Sequence, residues 1–464
     1  MTISLKNFIG NKAFYKHALA IALPIMIQNG ITNFVSMIDN IMVGRIGTEQ
    51  MSGVAITNQL IFIYNLCIFG AVAGAGIFTA QYYGEENQEG IRRTLRFKLI
   101  IGAFVTVAAF LIFLLLGNSL IMAYLAGNSD GGDMVAAFMY AKDYLSIILA
   151  GLIPFMILQA YSGTLRECNE TMLPMKAGFV AVIVNLILNY LLIYGKLGFP
   201  MLGVKGAAIA TVAARYVETC IVIIWLHRHK KEHPYIKGLY KTFKMPFDMF
   251  KKFLAKSLSL LINEGLWSGG MAMLTLCYSY RGLNTISGLN IANTLFNVFS
   301  VVFIALGNAI SIIVGQLLGA GKFKEAKRTD TRLIVFAVFA CMITGLVLLA
   351  IAPFFPRIYN TTPEAKQIAM HFLIAQALFM PQTAFMNAAY FTLRSGGKTI
   401  LTLAFDSVFM WCASVPVAFI LAKLTNIPAI GIFIAVQGVE FIKCVIGFIL
   451  VKKGIWIQNI VQQK

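Results

Sequence analysis

Charged residues are scarce in this sequence. Only 12% of its 464 residues are Asp, Glu, Lys or Arg, whereas 59% are hydrophobic. A soluble chain of this length needs far more polar surface to cover its core. The composition therefore excludes a soluble globular protein and predicts a membrane protein with many spans.

Several kinds of chemistry are also missing. His227, His229 and His233 lie in a Lys-rich segment without a Cys or carboxylate cluster, so no metal site is predicted there. The segment Ser395–Thr399 ends like a phosphate-binding loop, but Thr392 stands where that loop requires glycine. No nucleophile and base pattern occurs within the spans. We therefore expect no enzyme and no cofactor.

The hydrophobic residues gather in twelve segments of about the 20 residues that cross a bilayer. The segments are continuously apolar, which favours helices over the alternating strands of a barrel. They lie at 18–43, 53–80, 98–118, 136–163, 174–195, 205–227, 253–279, 287–316, 332–352, 366–391, 399–423 and 429–451. The predicted fold class is an all-α polytopic membrane protein with twelve transmembrane helices.

The basic residues are sorted to one side of these spans. Of the 38 Lys and Arg residues, 28 lie in the two termini, in the loops that follow even-numbered spans and in the span ends beside those loops. Because Lys and Arg gather in cytoplasmic loops, both termini are predicted to be cytoplasmic. The same rule explains the net charge of +19, so we expect the lipid bilayer, and no nucleic acid, as a partner.

The two halves of the sequence are similar to each other. A shift of 235 residues superposes Gln81 on Gln316 and Gly84 on Gly319, and a shift of 228 superposes Arg166 on Arg394. A shift of 222 then places Glu218 on Glu440. Six spans separate equivalent positions, so the halves are parallel repeats and each is predicted to form a six-helix bundle.

The repeat also sets the predicted domain boundaries. An N-terminal bundle is expected at 1–226, a cytoplasmic linker at 227–252 and a C-terminal bundle at 253–464. Two bundles imply a cavity between them and alternating access. A channel could share this layout, although repeats of this kind are more typical of transporters.

The first span carries one carboxylate, Asp39, which is a candidate functional residue because an acid in hydrocarbon costs at least about 2.5 kcal/mol. It lies five residues before Gly44, about 8 Å below the end of the span. Asn189 and Thr211 are placed at a similar depth, and Asn185 is one helical turn from Asn189. Such oxygens suit Na⁺, whereas a buried carboxylate alone could carry H⁺. A structural hydrogen-bond cluster is the third interpretation.

The second half has its own acidic residues. Glu264 lies mid-membrane beside Asn263 and Trp267, and these three form a candidate site for substrate or for a second coupling cation. Asp406 could pair with Arg394 in the adjoining loop. For Glu218 and Glu440, ion pairs with Arg215 and Lys443 on the same helices are a sufficient explanation.

Three stretches resemble one family. They are Pro24 with the first-span ending Ile38–Gly44, the run Val184–Pro200, and Gly203–Thr211. In combination, and over essentially the whole chain, they look like the multidrug and toxic compound extrusion (MATE) family. The resemblance implies a V-shaped antiporter that exports organic cations in exchange for Na⁺ or H⁺, in which the residues matching Asp39, Asn185, Asn189 and Thr211 couple the cation.

The sequence departs from the family at two positions. Some bacterial members have an aspartate on the fifth helix where this chain has Asn189, which leaves the first site with one formal charge. Some members have an aspartate in the tenth span where this chain has Gln382 or Thr383, which leaves Glu264 as the cation carrier in the second half. The expected function is efflux of amphipathic, cationic organic compounds by a monomer. The alternative is a flippase for lipid-linked precursors, which is expected to need a strongly cationic cavity.

Overall fold

In the computed structural model, the chain is described over residues 8–126 and 133–462, and every regular element in those ranges is helical. A 3₁₀ turn, Leu149–Gly151, joins α4 to α5, and two π-helical turns, Ala404–Val408 and Met410–Ser414, join α12 to α13. The helices of these ranges are α1 Lys12–Gly44, α2 Thr48–Gly84, α3 Gln88–Ala126, α4 Met134–Ile148, α5 Leu152–Glu167, α6 Met172–Tyr194, α7 Val204–Arg228, α8 Phe247–Ser279, α9 Leu283–Gly319, α10 Phe323–Ile351, α11 Pro363–Ser395, α12 Thr399–Leu403, α13 Val415–Leu424 and α14 Ala429–Lys453.

Within the described residues, eleven helices are long and apolar enough to cross a membrane, and they coincide with eleven of the predicted spans. The predicted span 253–279 forms the long helix α8, whose composition is less apolar because it includes Asn263, Glu264 and several lysines. The chain is thus an all-α, multi-pass membrane protein, as its composition predicts.

The helices form two compact units. The N-terminal unit contains Ile27–Thr79 and Gln88–Ser257, and the C-terminal unit contains the chain from Leu258 onward together with Ala80–Asn87 and the start of α1 up to Met26. Helices α1 and α2 therefore each contribute to both units. The linker predicted at 227–252 lies within the N-terminal unit in this division, and the boundaries of the functional domains stay a prediction.

The linker is attached to the N-terminal unit by two arginines of α3. The Arg92 Nε donates to the carbonyl of Tyr235 at 3.1 Å, and the Arg96 Nε donates to the carbonyl of Leu239 at 2.8 Å. His233 of the same segment is partly buried, and burial lowers the pKa of its imidazole below the usual value. No group of three or more His, Cys, Asp or Glu in the described ranges is arranged to hold a metal ion.

Helices α7 and α14 are equivalent in the repeat, and the structure corrects the offset between them. Both contain 25 residues, and their first residues, Val204 and Ala429, differ by 225. Alignment of the two helices by their first and last residues favours an offset of 225 over 222, a difference of nearly one helical turn. Glu218 corresponds to Lys443, and Arg215 corresponds to Glu440.

In the C-terminal unit, the last turn of α2 crosses the last turn of α9 at two glycines. A Cβ atom on Gly84 would lie 1.9 Å from the Gln316 carbonyl oxygen, and a Cβ atom on Gly319 would lie 1.9 Å from the Gln81 carbonyl oxygen. These are the residues that the shift of 235 superposes, so the crossing follows the symmetry of the repeat. Asn459 of the C-terminal segment donates to the Gly319 carbonyl at 3.0 Å.

We expect Gly319→Ala to destabilise the protein, because the added methyl group overlaps the Gln81 carbonyl group. Overpacking of this kind typically costs about 1–3 kcal/mol. The measurement is the melting temperature of the purified protein, followed by size-exclusion chromatography. Gly438→Ala on α14 is the matched control, since nothing lies within 4 Å of the added atom. Equal melting temperatures for the two variants would contradict the close crossing.

Candidate functional site

Asp39 of α1 lies against two asparagines of α6. The Asn189 Nδ2 donates to Asp39 Oδ1 at 2.6 Å and to Asn185 Oδ1 at 3.1 Å. Asn185 and Asn189 are buried, with 4% and 1% of their surface exposed. The structure therefore brings together three of the four residues that the sequence assigns to this site.

The fourth residue, Thr211 of α7, lies beside the cluster. Its hydroxyl donates to the Ala207 carbonyl of its own helix at 3.0 Å. Tyr144 of α4 connects the two parts, because its phenol interacts with Thr211 and with the charges of Asp39 and Arg215. Tyr144 is buried and was not predicted from the sequence, where a tyrosine in an apolar span is too common to indicate a site.

Close packing of α6, α7 and α1 positions these side chains. A Cβ atom on Gly206 of α7 would lie 2.6 Å from the Leu192 carbonyl oxygen of α6, so the two backbones touch where α7 begins. The Tyr194 hydroxyl at the end of α6 donates to the Met42 carbonyl of α1 at 3.0 Å. These contacts fix the ends of three helices close to Asp39.

The side-chain groups around Asp39 suit a hard cation. Asn189 Oδ1 is buried without a hydrogen-bond partner among the described residues. Asp39 and Asn185 add carboxylate and amide oxygens, and Thr211 adds a hydroxyl oxygen close by. Oxygen ligands of these types are those that hard cations take in proteins. A protonated carboxylic acid could instead use its O–H to donate to the same free amide oxygen.

The second candidate site centres on Asn263 of α8. Its Nδ2 is 3.3 Å from Asp406 Oδ2 and 3.4 Å from the Tyr390 hydroxyl. The Ser407 hydroxyl lies 2.8 Å from both the carbonyl oxygen and the side-chain oxygen of Asn263. Asn263 is thus a buried connection between α8, α11 and the first π-helical turn.

Asp406 forms its ion pair with Lys443 of α14. The Lys443 Nζ lies 2.8 Å from Asp406 Oδ1 and 3.5 Å from Glu440 Oε2. Arg394, the partner predicted for Asp406, is an electrostatic neighbour of Glu264. The side chain of Glu440 is also held, because the Ser414 hydroxyl donates to Glu440 Oε1 at 2.5 Å.

Glu264 and Trp267 make other kinds of contact. The carboxylate of Glu264 has Arg394 and Asp406 as its electrostatic neighbours, and it makes no hydrogen bond with the part of the chain that the structure describes. Trp267 packs on the hydrophobic core of the C-terminal unit. Of the three predicted residues, Asn263 is hydrogen-bonded within the network, and Glu264 is an electrostatic neighbour of it. Trp267 contributes to the hydrophobic core.

The π-helical turns supply the residues that the sequence could not place. They include Asp406, Ser407 and Ser414, whose side chains all bond to α8 or α14. A π-helical turn is rare and frequently lies at a functional site. The only signal in the sequence is the concentration of Asp and Ser within an apolar span.

The fold and both polar clusters can now be compared with known proteins. The MatE family model matches residues 24–191 and 260–420, which is more than half of the chain. The chain belongs to the MATE family. Both matched ranges contain one of the clusters: Asp39, Asn185 and Asn189 in the first, and Asn263 with Asp406 in the second.

Relatives of this MATE protein cover nearly its whole length. It is 24% identical over 447 residues to the probable multidrug resistance protein NorM of Thermotoga maritima, covering 95% of this chain and 93% of that one. It is 26% identical over 424 residues to the probable multidrug resistance protein YoeA of Bacillus subtilis, covering 89% and 88%. Its fold matches an outward-facing multidrug resistance MATE transporter with a TM-score of 0.85 at 20% identity, covering 98% of both chains.

We expect Asp406→Asn to destabilise the C-terminal unit. Breaking a buried ion pair typically costs about 3–5 kcal/mol, and Glu440 at 3.5 Å from Lys443 offsets part of that cost. Unfolding of the purified protein is the measurement. Asp143→Asn is the control, because the Asp143–Lys205 pair is exposed and surface pairs contribute about 0–1 kcal/mol. Similar losses for both variants would mean that Lys443 does not depend on Asp406.

Proposed function

We propose that the chain is a cation-coupled efflux antiporter that exports amphipathic, cationic organic compounds across the bacterial inner membrane. Its place in the MATE family and the names of its relatives support multidrug efflux. The predicted sorting of Lys and Arg supports an orientation with both termini in the cytoplasm. The proposed transporter works as a monomer in the lipid bilayer, with no cofactor besides the coupling ion and no nucleic-acid partner.

The observation that carries the proposal is the buried contact between Asp39 and Asn189. A carboxylate within a membrane-length helix is retained at a cost in stability, which is typical of ion pathways. Here the oxygens of Asp39, Asn185 and Asn189 come from two helices, so a cation bound among them draws those helices together. Ion binding and helix movement are thereby linked.

The proposed mechanism follows from that linkage. A Na⁺ ion or a proton enters at Asp39 and stabilises one arrangement of α1 and α6, while the substrate binds better to another arrangement. Export against a gradient then requires that each ligand bind the two access states with different affinity. Glu264, with no hydrogen bond from the described residues, is available to the cationic substrate or to a second coupling ion.

The proposal leaves the choice between Na⁺ and H⁺ to experiment. In proteoliposomes, a Na⁺ gradient and a pH gradient are imposed separately, and efflux of a fluorescent organic cation is followed. We expect one gradient to drive uphill transport and Asp39→Asn to reduce that transport at least tenfold, because the amide cannot carry the coupling charge. Asp143→Asn, a charge-neutralised surface residue, is the control. Coupled transport at the wild-type rate in Asp39→Asn would overturn the role of Asp39.

A separate experiment concerns Glu264. If its carboxylate attracts the cationic substrate, Glu264→Gln is expected to weaken binding of that substrate about tenfold, equivalent to about 1.4 kcal/mol. Binding is measured by fluorescence titration of the purified protein, with a neutral analogue of the same size as the control ligand. An equal change for the charged and the neutral ligand would indicate a structural role only.

A further inference from the structure

The ammonium group of Lys443 occupies a site built from carboxylates within the C-terminal unit. It lies 2.8 Å from Asp406 Oδ1 and 3.5 Å from Glu440 Oε2, and only 5% of the residue is exposed. A buried ammonium group is stable only when it is paired and hydrogen-bonded. Two carboxylates pair with the ammonium group. Asp406 lies on the first π-helical turn, and Glu440 lies on α14.

The other oxygen of each carboxylate is held by a neutral donor. The Ser414 hydroxyl donates to Glu440 Oε1 at 2.5 Å, and the Asn263 amide donates to Asp406 Oδ2 at 3.3 Å. These two contacts orient the remaining oxygens toward the ammonium group. Both carboxylates are therefore held in place by groups other than Lys443, so their geometry does not depend on the lysine alone.

The equivalent position in the N-terminal unit has the opposite charge. The offset of 225 places Glu218 at the position of Lys443, and the electrostatic neighbours of Glu218 are Arg166 and Arg215. Glu218 also contacts Gln28 and the backbone beside Gly178, as Lys443 lies beside Asp406 and the Asn263 network. The repeat thus places a charged residue with oppositely charged neighbours at this position in both units, with the signs exchanged.

Charge counting then distinguishes the acidic residues of the C-terminal unit. Three carboxylates, Asp406, Glu440 and Glu264, face two basic groups, Lys443 and Arg394. One negative charge is left over. Lys443 neutralises one of the two charges of Asp406 and Glu440, so the surplus negative charge lies at that pair, whereas Glu264 has Arg394 as an electrostatic neighbour.

We propose that Lys443 is a tethered cation, which fills a carboxylate site that would otherwise bind a free monovalent cation such as Na⁺. The proposal rests on the cation coupling proposed above. Because the ammonium group is covalently attached to α14, it cannot exchange with ions in solution. Lys443 therefore lowers the number of exchangeable cations by one, because its ammonium group occupies the position that Asp406 and Glu440 share.

The proposal predicts that loss of the lysine charge creates a cation site. In Lys443→Met, the free oxygens of Asp406 and Glu440, with Ser414 and Asn263 still in place, form an oxygen-rich site of the kind that hard cations occupy. The full-length protein is purified in detergent with choline as the only added cation, and equilibrium binding of radioactive Na⁺ is measured. We expect Lys443→Met to bind one more Na⁺ per chain than the wild type.

Three control variants identify where the additional ion binds. Lys443→Arg keeps the tethered charge, and Lys423→Met removes an exposed lysine that stacks on Phe419, so both are expected to bind Na⁺ as the wild type does. Asp406→Asn combined with Lys443→Met removes one ligand and is expected to lose the additional ion. A stoichiometry in Lys443→Met equal to that of the wild type would overturn the proposal.

The Na⁺ stoichiometries of the wild type and of Lys443→Met test this proposal independently of the proposed coupling function. A wild type that binds no Na⁺, beside a Lys443→Met variant that binds one, would support the tethered cation and contradict Na⁺ coupling at Asp39. If Lys443→Met aggregates in choline buffer, Na⁺ present throughout purification is expected to restore a single monomeric peak in size-exclusion chromatography. Aggregation at every Na⁺ concentration would overturn the tethered cation.

Discussion

A charge within a membrane-length helix must be neutralised, and this requirement shapes both polar clusters of the protein. Water is absent from the bilayer core, so an ionised side chain needs a partner from the protein or from a bound ion. Lys443 and Asp406 meet the requirement with each other, at 2.8 Å. Among the described residues, Asp39 accepts a hydrogen bond from the neutral amide of Asn189, and in the proposed antiporter its charge is neutralised by an exchangeable ion or proton.

The two solutions have different consequences for function. A carboxylate neutralised by a side chain is permanently occupied, and its contribution is to hold helices together. A carboxylate beside neutral amides can gain and lose its cation, and each event changes how strongly the neighbouring helices attract one another. The proposed antiporter uses the second solution at Asp39 in the N-terminal unit and the first at Asp406 in the C-terminal unit.

The two halves of the repeat share one backbone arrangement but neutralise their buried charges in different ways. The close crossing at Gly84 and Gly319 shows that the halves share backbone geometry closely enough to place carbonyl oxygens at equivalent positions. The charge of the ionisable side chains is not retained between equivalent positions. Glu218 and Lys443 occupy equivalent positions with opposite charge, and each has neighbours of the opposite sign.

Much of this protein could be predicted from the sequence alone. Membrane-length apolar runs fix the number and position of helices, since hydrocarbon thickness sets their length. The grouping of Asp39 with Asn185 and Asn189 also follows, because two residues four apart on a helix share a face. Family membership follows from motifs that extend over the whole chain.

Other features were decided only by the tertiary structure. The partner of Asp406 is Lys443 because two π-helical turns rotate the residues after Leu403 relative to a regular helix, and periodicity arguments assume a regular helix. The same limit applies to Tyr144, which reaches Thr211 from another helix. The offset of 225 between α7 and α14 became clear from helix bounds, since identical residue types had favoured 222. The spacing of residues in the sequence shows which side chains share a face of one helix. Contacts between helices depend on how each helix is rotated and packed, which the spacing does not show.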